Sequence, residues 1–282
     1  MHPALRLVRA GNLGVSFVGT VVGGLVARGL GVSVPVTLWL FLALAGASTA
    51  LVTAGGNVLN DLLDLEGDRV NHPDRPLVTG EISVASARGL TVGLFVAGVV
   101  VAVPVALAEP LVAAILGAAI VLLLAYEFRF KAVGFLGNLV VAFLTGMVFL
   151  YGAAAAGDAV VLLPFAAMAF LATLSREVIK DMEDVAGDVG RSTFPKTYGM
   201  AAAAGLARGA VVGGVVLSFV PLAWFVTLAS GVGIIYAALV GAADAVFAVS
   251  VWQLPDRLHY EQTMSKVAMS IALFAFLAVA FR

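Results

Sequence analysis

The side chains best suited to chemistry lie in one stretch, Asn57 to Leu77, which follows a long apolar run. It carries Asp61, Asp64 and Asp68, and offsets of three and four put all three on one face if the helix continues through them. A second copy, Lys180 to Asp188, carries Asp181, Asp184 and Asp188, each 120 residues after its counterpart. Basic residues follow both copies, Arg69 and Arg75 after the first and Arg191 and Lys196 after the second. Two acidic clusters at the ends of apolar helices need compensating positive charge. Mg²⁺ holding a diphosphate supplies it economically, because this ion takes a few carboxylates together with phosphate oxygens.

The elements that must position these residues are membrane spans. The chain has 282 residues, of which 62% are hydrophobic and 12% charged, against about 25% charged in an ordinary soluble domain. Its mean hydropathy is +1.08. Apolar runs cover roughly 13–30, 36–59, 84–107, 111–126, 133–156, 160–179, 200–226, 233–254 and 264–281, each near the ~20 residues that a bilayer requires. Pro104 is expected to break the third run near its end and Pro221 to kink the seventh. The fold class is therefore all-α, a polytopic membrane protein with nine transmembrane helices. It reads as a single domain over 1–282 with two motif-bearing halves, roughly 1–131 and 132–282. The longer loops after the second and sixth spans mix charges with apolar residues, Pro and Gly, and are expected to form short helices that cap the membrane cavity.

Of the sixteen Lys and Arg residues, fourteen fall on the side that holds the N-terminus and both acidic motifs, and two, Arg28 and Arg282, on the other. The positive-inside rule then places the protein in the cell membrane with the motifs open to the cytoplasm. A formal net charge of -1 gives no nucleic-acid footprint, and the lack of Cys excludes disulfides, thiolate metal sites and Cys nucleophiles. Three dispersed His residues cannot make a His-based metal site.

Asn60-Asp61-x-x-Asp64-x-x-x-Asp68 and Asp181-x-x-Asp184-x-x-x-Asp188, placed after the second and sixth spans, resemble the two aspartate-rich motifs of the UbiA superfamily of intramembrane prenyltransferases. Arg75-Pro76-Leu77-x-x-Gly80 and the segment Tyr126 to Lys131 match that family too, and the resemblance covers essentially the whole chain. The run from Ser175 to Asp188 is most similar to the family's archaeal branch, the digeranylgeranylglyceryl phosphate synthases, with one departure at Ala186. The resemblance implies nine helices around a central cavity with a lateral opening to lipid. It implies Mg²⁺-dependent transfer of a geranylgeranyl group from its diphosphate to a lipid phosphate acceptor, geranylgeranylglyceryl phosphate. The partners are then membrane lipid, the prenyl diphosphate donor and that acceptor, with no obligate protein partner. An aromatic-acceptor enzyme of the quinone-pathway type is the alternative within the family, and a transporter the remote alternative outside it.

On this reading Asp61, Asp64, Asp68, Asp181, Asp184 and Asp188 are metal ligands, directly or through water, and Asn60 adds an amide oxygen or holds a carboxylate. Asp64, Asp68, Asp184 and Asp188 carry the catalysis with Tyr126, which either faces the allylic cation, bonds the diphosphate, or belongs to an interfacial aromatic belt. Arg69, Arg75, Lys180 and Lys196 bind the diphosphate, and Arg176, one turn before Lys180, can reach the same anion. Arg129 and Lys131 bind either the diphosphate or, being on a different loop from the other cations, the acceptor phosphate. Asn57, Arg9 and Asn12 complete the substrate-binding set, the last two closing the site from the N-terminal side. Gly55 and Gly56 either let a ligand approach the backbone or serve helix packing. Asp244 stands alone within the eighth span, where it is either functional, the default for an intramembrane acid, or the cap of an internal hydrogen bond, or the partner of a Lys or Arg on another helix.

Overall fold

The structure, a computed structural model, describes residues 2–31, 33, 36–186, 192–224, 228 and 230–282. The helices in chain order are α1 (Pro3–Leu7), α2 (Ala10–Gly29), α3 (Leu38–Leu63), α4 (Leu65–Asn71), α5 (Val84–Ala108), α6 (Pro110–Phe128), α7 (Phe135–Ala155), α8 (Leu163–Glu183), α9 (Phe194–Tyr198), α10 (Met200–Ser218), α11 (Val220–Trp224), α12 (Gly231–Val251) and α13 (Leu258–Val279). Among the described residues, nine helices are long and apolar enough to cross a membrane: α2, α3, α5, α6, α7, α8, α10 continued by α11, α12 and α13. Helices are the form such sequences must take, because a bilayer offers backbone N–H and C=O groups no other partner.

Successive spans pack side by side, and α13 returns to α2. The most buried spans are α3, α7 and α8, where half or more of the apolar window is covered; α7 also meets α2 and α3, and α8 also meets α13. The outer faces of α5 and α6 carry exposed Val92, Val96, Val99, Val100, Val103 and Val121, as suits helices facing lipid. Backbones touch where side chains are missing: a Cβ on Gly152 of α7 would lie 1.8 Å from the Thr20 carbonyl oxygen of α2, and one on Gly23 2.3 Å from that of Phe149. Gly55 and Gly56 are spent in the same way, against Phe95 of α5 and Leu123 of α6. Packing therefore accounts for both, although Gly56 also lines the central cavity.

Three local expectations change. Helix α5 runs through Pro104 to Ala108 without stopping; the proline lies in the last turn and a half. The seventh span is interrupted at Phe219, two residues before its proline, because Pro221 takes an early position in α11 where its missing N–H costs nothing. The last span begins at Leu258 rather than near 264, since His259, Glu261 and Gln262 form its first turns below the apolar stretch. Short helices do occupy the two long loops: α4 borders the cavity through Gly67, Asp68 and Asn71, whereas α9 packs on α8 and α10.

Candidate active site

The helix bearing the first motif does not continue through it. Helix α3 ends at Leu63, Asp64 is the junction, and α4 carries Asp68. The bend still gathers the carboxylates, through Arg75 in the turn that follows α4. Arg75 Nη1 donates to Asp61 Oδ1 at 3.1 Å and also to Asp68 Oδ2. Both acids are buried, at 3% and 6% exposure. Carboxylates at the C-terminal end of a helix face the negative end of its dipole, so this arrangement holds only with cations at hand.

Arg9 is one of them. It sits between α1 and α2 at φ 56°, a left-handed conformation that costs a non-glycine residue roughly 1–2 kcal/mol. Its guanidinium donates to Asp61 at 2.7 Å and to the Asn60 side-chain oxygen at 3.2 Å. The Asn57 amide donates to the Val8 carbonyl at 2.8 Å and fixes the end of α1 just before Arg9. Arg6 ties the same segment to the loop beyond the first motif by donating to both oxygens of Glu81 at 2.5 Å. That guanidinium, with the Thr79 hydroxyl, holds the Glu81 carboxyl below the usual carboxylate range.

From the opposite wall, Lys131 donates to Asp64 and lies 3.6 Å from Glu127, while the Asn60 amide nitrogen donates to both Glu127 oxygens at 3.1 Å. Lys131 thus belongs to the first acidic motif, not to a separate anion site. Arg129 is exposed and is not among the residues lining the cavity. Arg69 also stands away from it: its side chain is 60% exposed and pairs with Glu66 at 3.5 Å. Arg69 follows Asp68 by one position of α4, a rotation of about 100° that carries it off the cavity face, and Arg129 caps α6 before the short turn that holds Lys131.

The second motif begins on α8. Asp181 accepts from the Asn138 amide of α7 at 2.8 Å, and Asp184 starts a short 3₁₀ turn, Asp184–Ala186, at the helix end. Asp188, and Arg191 beyond it, lie outside the described residues. One turn up, Glu177 holds Arg176 at 2.8 Å and Lys180 at 4.0 Å. Lys196 is exposed on α9, outside the cavity lining. A small void of about 50 Å³ bordered by Tyr126, Lys131, Asn138, Glu177, Lys180 and Asp181 joins the two motifs.

The two motifs border one cavity of about 1480 Å³. Its polar end holds Arg9, Asn12, Asn57, Asn60, Asp64, Asp68, Arg75, Tyr126, Lys131, Arg176, Lys180 and Asp184. Beyond them the wall becomes apolar through Leu116, Leu123, Val148, Phe149, Met168, Val240 and Phe276. Asp244 lies on this deeper wall, where its carboxylate accepts from the Ser218 hydroxyl at 2.7 Å and Tyr236 donates to the Ser218 carbonyl at 3.0 Å. Glu127, Glu177 and Asn138 enter the ionic network although the two acidic motifs do not include them. Glu127 and Glu177 flank residues already singled out, at i,i+4 from Lys131 and i,i+3 from Lys180, which is the signal that finds them. Asn138 carries no such signal.

The donor set suits Mg²⁺. It consists of carboxylate and amide oxygens, without sulfur. Among the described residues no group of three or more acids or His is disposed to hold an ion alone. Mg²⁺ is ordinarily held by one or two carboxylates, waters and substrate phosphates, so walls that offer Asp64 and Asp68 on one side and Asp184 on the other fit an ion that arrives with a diphosphate.

Known proteins share this architecture. A chain named digeranylgeranylglyceryl phosphate synthase from Methanoculleus marisnigri is 39% identical over 247 residues, 86% of this chain and 82% of its own length. One of the same name from Haloquadratum walsbyi is 38% identical over 279 residues, 97% of this chain and 92% of its own. Among solved structures, one of a digeranylgeranylglyceryl phosphate synthase in membranes superposes with a TM-score of 0.80 at 27% identity, covering 99% of this chain and 97% of that one. A UbiA homolog from Archaeoglobus fulgidus bound to DMAPP and Mg²⁺ superposes at 0.71 with 18% identity, covering 97% of this chain and 98% of that one. Residues 16–278, which contain both acidic motifs and eight spans besides most of the first, match the UbiA prenyltransferase family, and the chain belongs to it.

Proposed function

We propose that this prenyltransferase moves a geranylgeranyl group from geranylgeranyl diphosphate to the free hydroxyl of geranylgeranylglyceryl phosphate, at a site that opens to the cytoplasm. The observation that carries the reading is identity of 38–39% over most of the chain with relatives named for that product. A cavity polar at one end and apolar beyond it supports the reading, because a diphosphate ester with a long isoprenoid tail has the same division. Each buried CH₂ of such a tail contributes about 0.8 kcal/mol.

The residues divide the work by charge. Bound Mg²⁺ supplies electrophilic stabilisation of the leaving diphosphate, held by Asp64, Asp68 and Asp184, with Asp61, Asp181, Asn60 and Asp188 as further donors. Arg75, Lys131 and Lys180, with Arg176 and Arg9 behind them, release part of their pairing with the motif acids and take up the charge that grows on the diphosphate as its bond to the allylic C1 breaks. The acceptor hydroxyl oxygen forms the new bond to C1. Its proton leaves late, to a motif carboxylate or to the departing diphosphate. Tyr126, between the motifs, faces the reacting carbon or the diphosphate. The apolar wall excludes the water that would otherwise capture the cation. The halves 1–131 and 132–282 act as one catalytic unit, since each supplies one motif.

The test is turnover by purified protein given geranylgeranyl diphosphate and Mg²⁺ with either geranylgeranylglyceryl phosphate or a hydroxybenzoate. Alkylation of the glycerol lipid is the expected result. Alkylation of the hydroxybenzoate with the glycerol lipid ignored replaces this reading with the quinone-pathway one.

A further inference from the structure

We propose that Lys266 binds the phosphate of the acceptor lipid as it enters from the bilayer, a role that rests on the acceptor assigned in the preceding subsection. Lys266 lies eight residues into the membrane-spanning α13, is exposed, and lines the cavity. It stands only two residues into the apolar stretch that begins near 264, so what distinguishes it from the other topology cations is its place on the cavity wall. Arg9, Arg75, Lys131, Arg176 and Lys180, also on the cavity wall, each have a carboxylate within 4.0 Å. Lys266 has none among the described residues. The acid in its own helix, Glu261, is five residues earlier, about 140° around the helix, and at 1% exposure is turned into the protein. Asp244 of the adjacent α12 shares the cavity but is engaged by Ser218.

Its height matches the chemistry. Glu183 Oε1 lies 3.2 Å from His259 Nδ1, and Gln262 donates to Glu183 Oε2 at 2.5 Å, which ties the end of α8 to the start of the antiparallel α13. Seven residues back from Glu183 is Arg176, and seven on from His259 is Lys266. At 1.5 Å per residue both stand roughly 10 Å from that tie, on neighbouring helices and on the same wall. A phosphate held there stands beside α8, the helix that carries Lys180 and ends at Asp184, in the same cavity.

The way in passes Lys266. Helices α2 and α13 are pressed together at one end, where a Cβ on Gly29 would lie 2.1 Å from the Val279 carbonyl oxygen. Towards their other ends, Val15 (70% exposed) and Asn12 of α2, and Lys266 and Ser270 of α13, line the cavity while exposed. A lipid crossing this gap keeps its chains in the bilayer and presents its headgroup to Lys266. Of the two residues that sequence alone offers for this task, Arg129 is outside the cavity and Lys131 is paired with Asp64.

The test measures binding, not turnover. Titrate geranylgeranylglyceryl phosphate, and the alcohol lacking its phosphate, into purified wild type, K266M and K266R. Wild type should prefer the phosphorylated lipid at least tenfold, K266M by less than twofold, and K266R nearly as strongly as wild type. Affinity for geranylgeranyl diphosphate should stay within twofold throughout, which also shows that the variants are folded. An undiminished preference in K266M overturns the proposal and leaves the acceptor reading intact. Equal loss of geranylgeranyl diphosphate affinity assigns Lys266 to the donor site and overturns it as well. So does competition by a bulk anionic phospholipid as effective as the acceptor itself, which makes Lys266 a general lipid anchor. No preference in wild type removes the acceptor reading first, and this inference with it.

Discussion

Arg75 gives the sharpest perturbation. One guanidinium serves two buried carboxylates, at 3.1 Å from Asp61 and in contact with Asp68, and it lines the cavity proposed to hold the diphosphate. Replacing it with Met removes one unit charge from that site. At a separation of about 5 Å and an effective dielectric of about 20, the lost attraction to one diphosphate charge is roughly 3 kcal/mol, and each 1.36 kcal/mol is tenfold in rate. R75M should therefore lower kcat/KM by on the order of a hundredfold. Breaking a fully buried pair destabilises by about 3–5 kcal/mol, but the Arg75 side chain is 24% exposed and Arg9 still serves Asp61, so the stability loss should fall well below that range. R75K keeps the charge and loses the fork that spans two carboxylates, and should recover part of the activity. R69M is the control: its arginine pairs with an exposed glutamate outside the cavity, and activity should stay within twofold. The assay is initial-rate kinetics with varied geranylgeranyl diphosphate, beside thermal unfolding in the same detergent. A folded R75M within threefold of wild type, or an R69M as damaged as R75M, refutes the charge assignment.

Asp64→Ala and Asp184→Ala should each abolish most turnover while the protein still folds, and excess chelator should do the same to wild type; activity surviving either treatment separates the two motifs from the metal. Gly152→Ala should be destabilising by about 1–3 kcal/mol or more, read as a lower Tm, because the new Cβ would meet the Thr20 carbonyl at 1.8 Å; an unchanged Tm would show that α2 and α7 part easily. Cys placed at Asn71 and at Ser192 of this Cys-free chain should react in intact cells only with reagents that reach the cytoplasm, and labelling from outside inverts the proposed orientation.

The nine spans were legible in the sequence because bilayer thickness sets their length and lipid contact on one side keeps them apolar throughout. Helix ends were less so. Leu258 to Thr263 read as loop because they are polar, yet Glu183 receives His259 and Gln262 from that turn, and a tertiary contact with α8 extends the helix beyond its apolar stretch. The acidic residues announced themselves by repetition, since 120 residues separate each pair. Their cations did not. Arg69 and Arg75 both follow the first motif, but only a turn after α4 decides that one faces the carboxylates and the other faces away.

The same limit separates Lys131 from Lys266. Sequence places Lys131 on a loop apart from the motifs and leaves Lys266 as one topology signal among fourteen. Folding brings Lys131 onto Asp64 and sets Lys266 on the cavity wall with no acid of the described residues in reach. Spacing along one helix reports which residues share a face. It says nothing of which charge the next helix will present to that face. In a membrane cavity built from nine spans, that second fact decides which cations are spent on the protein's own carboxylates and which remain for a substrate's phosphate.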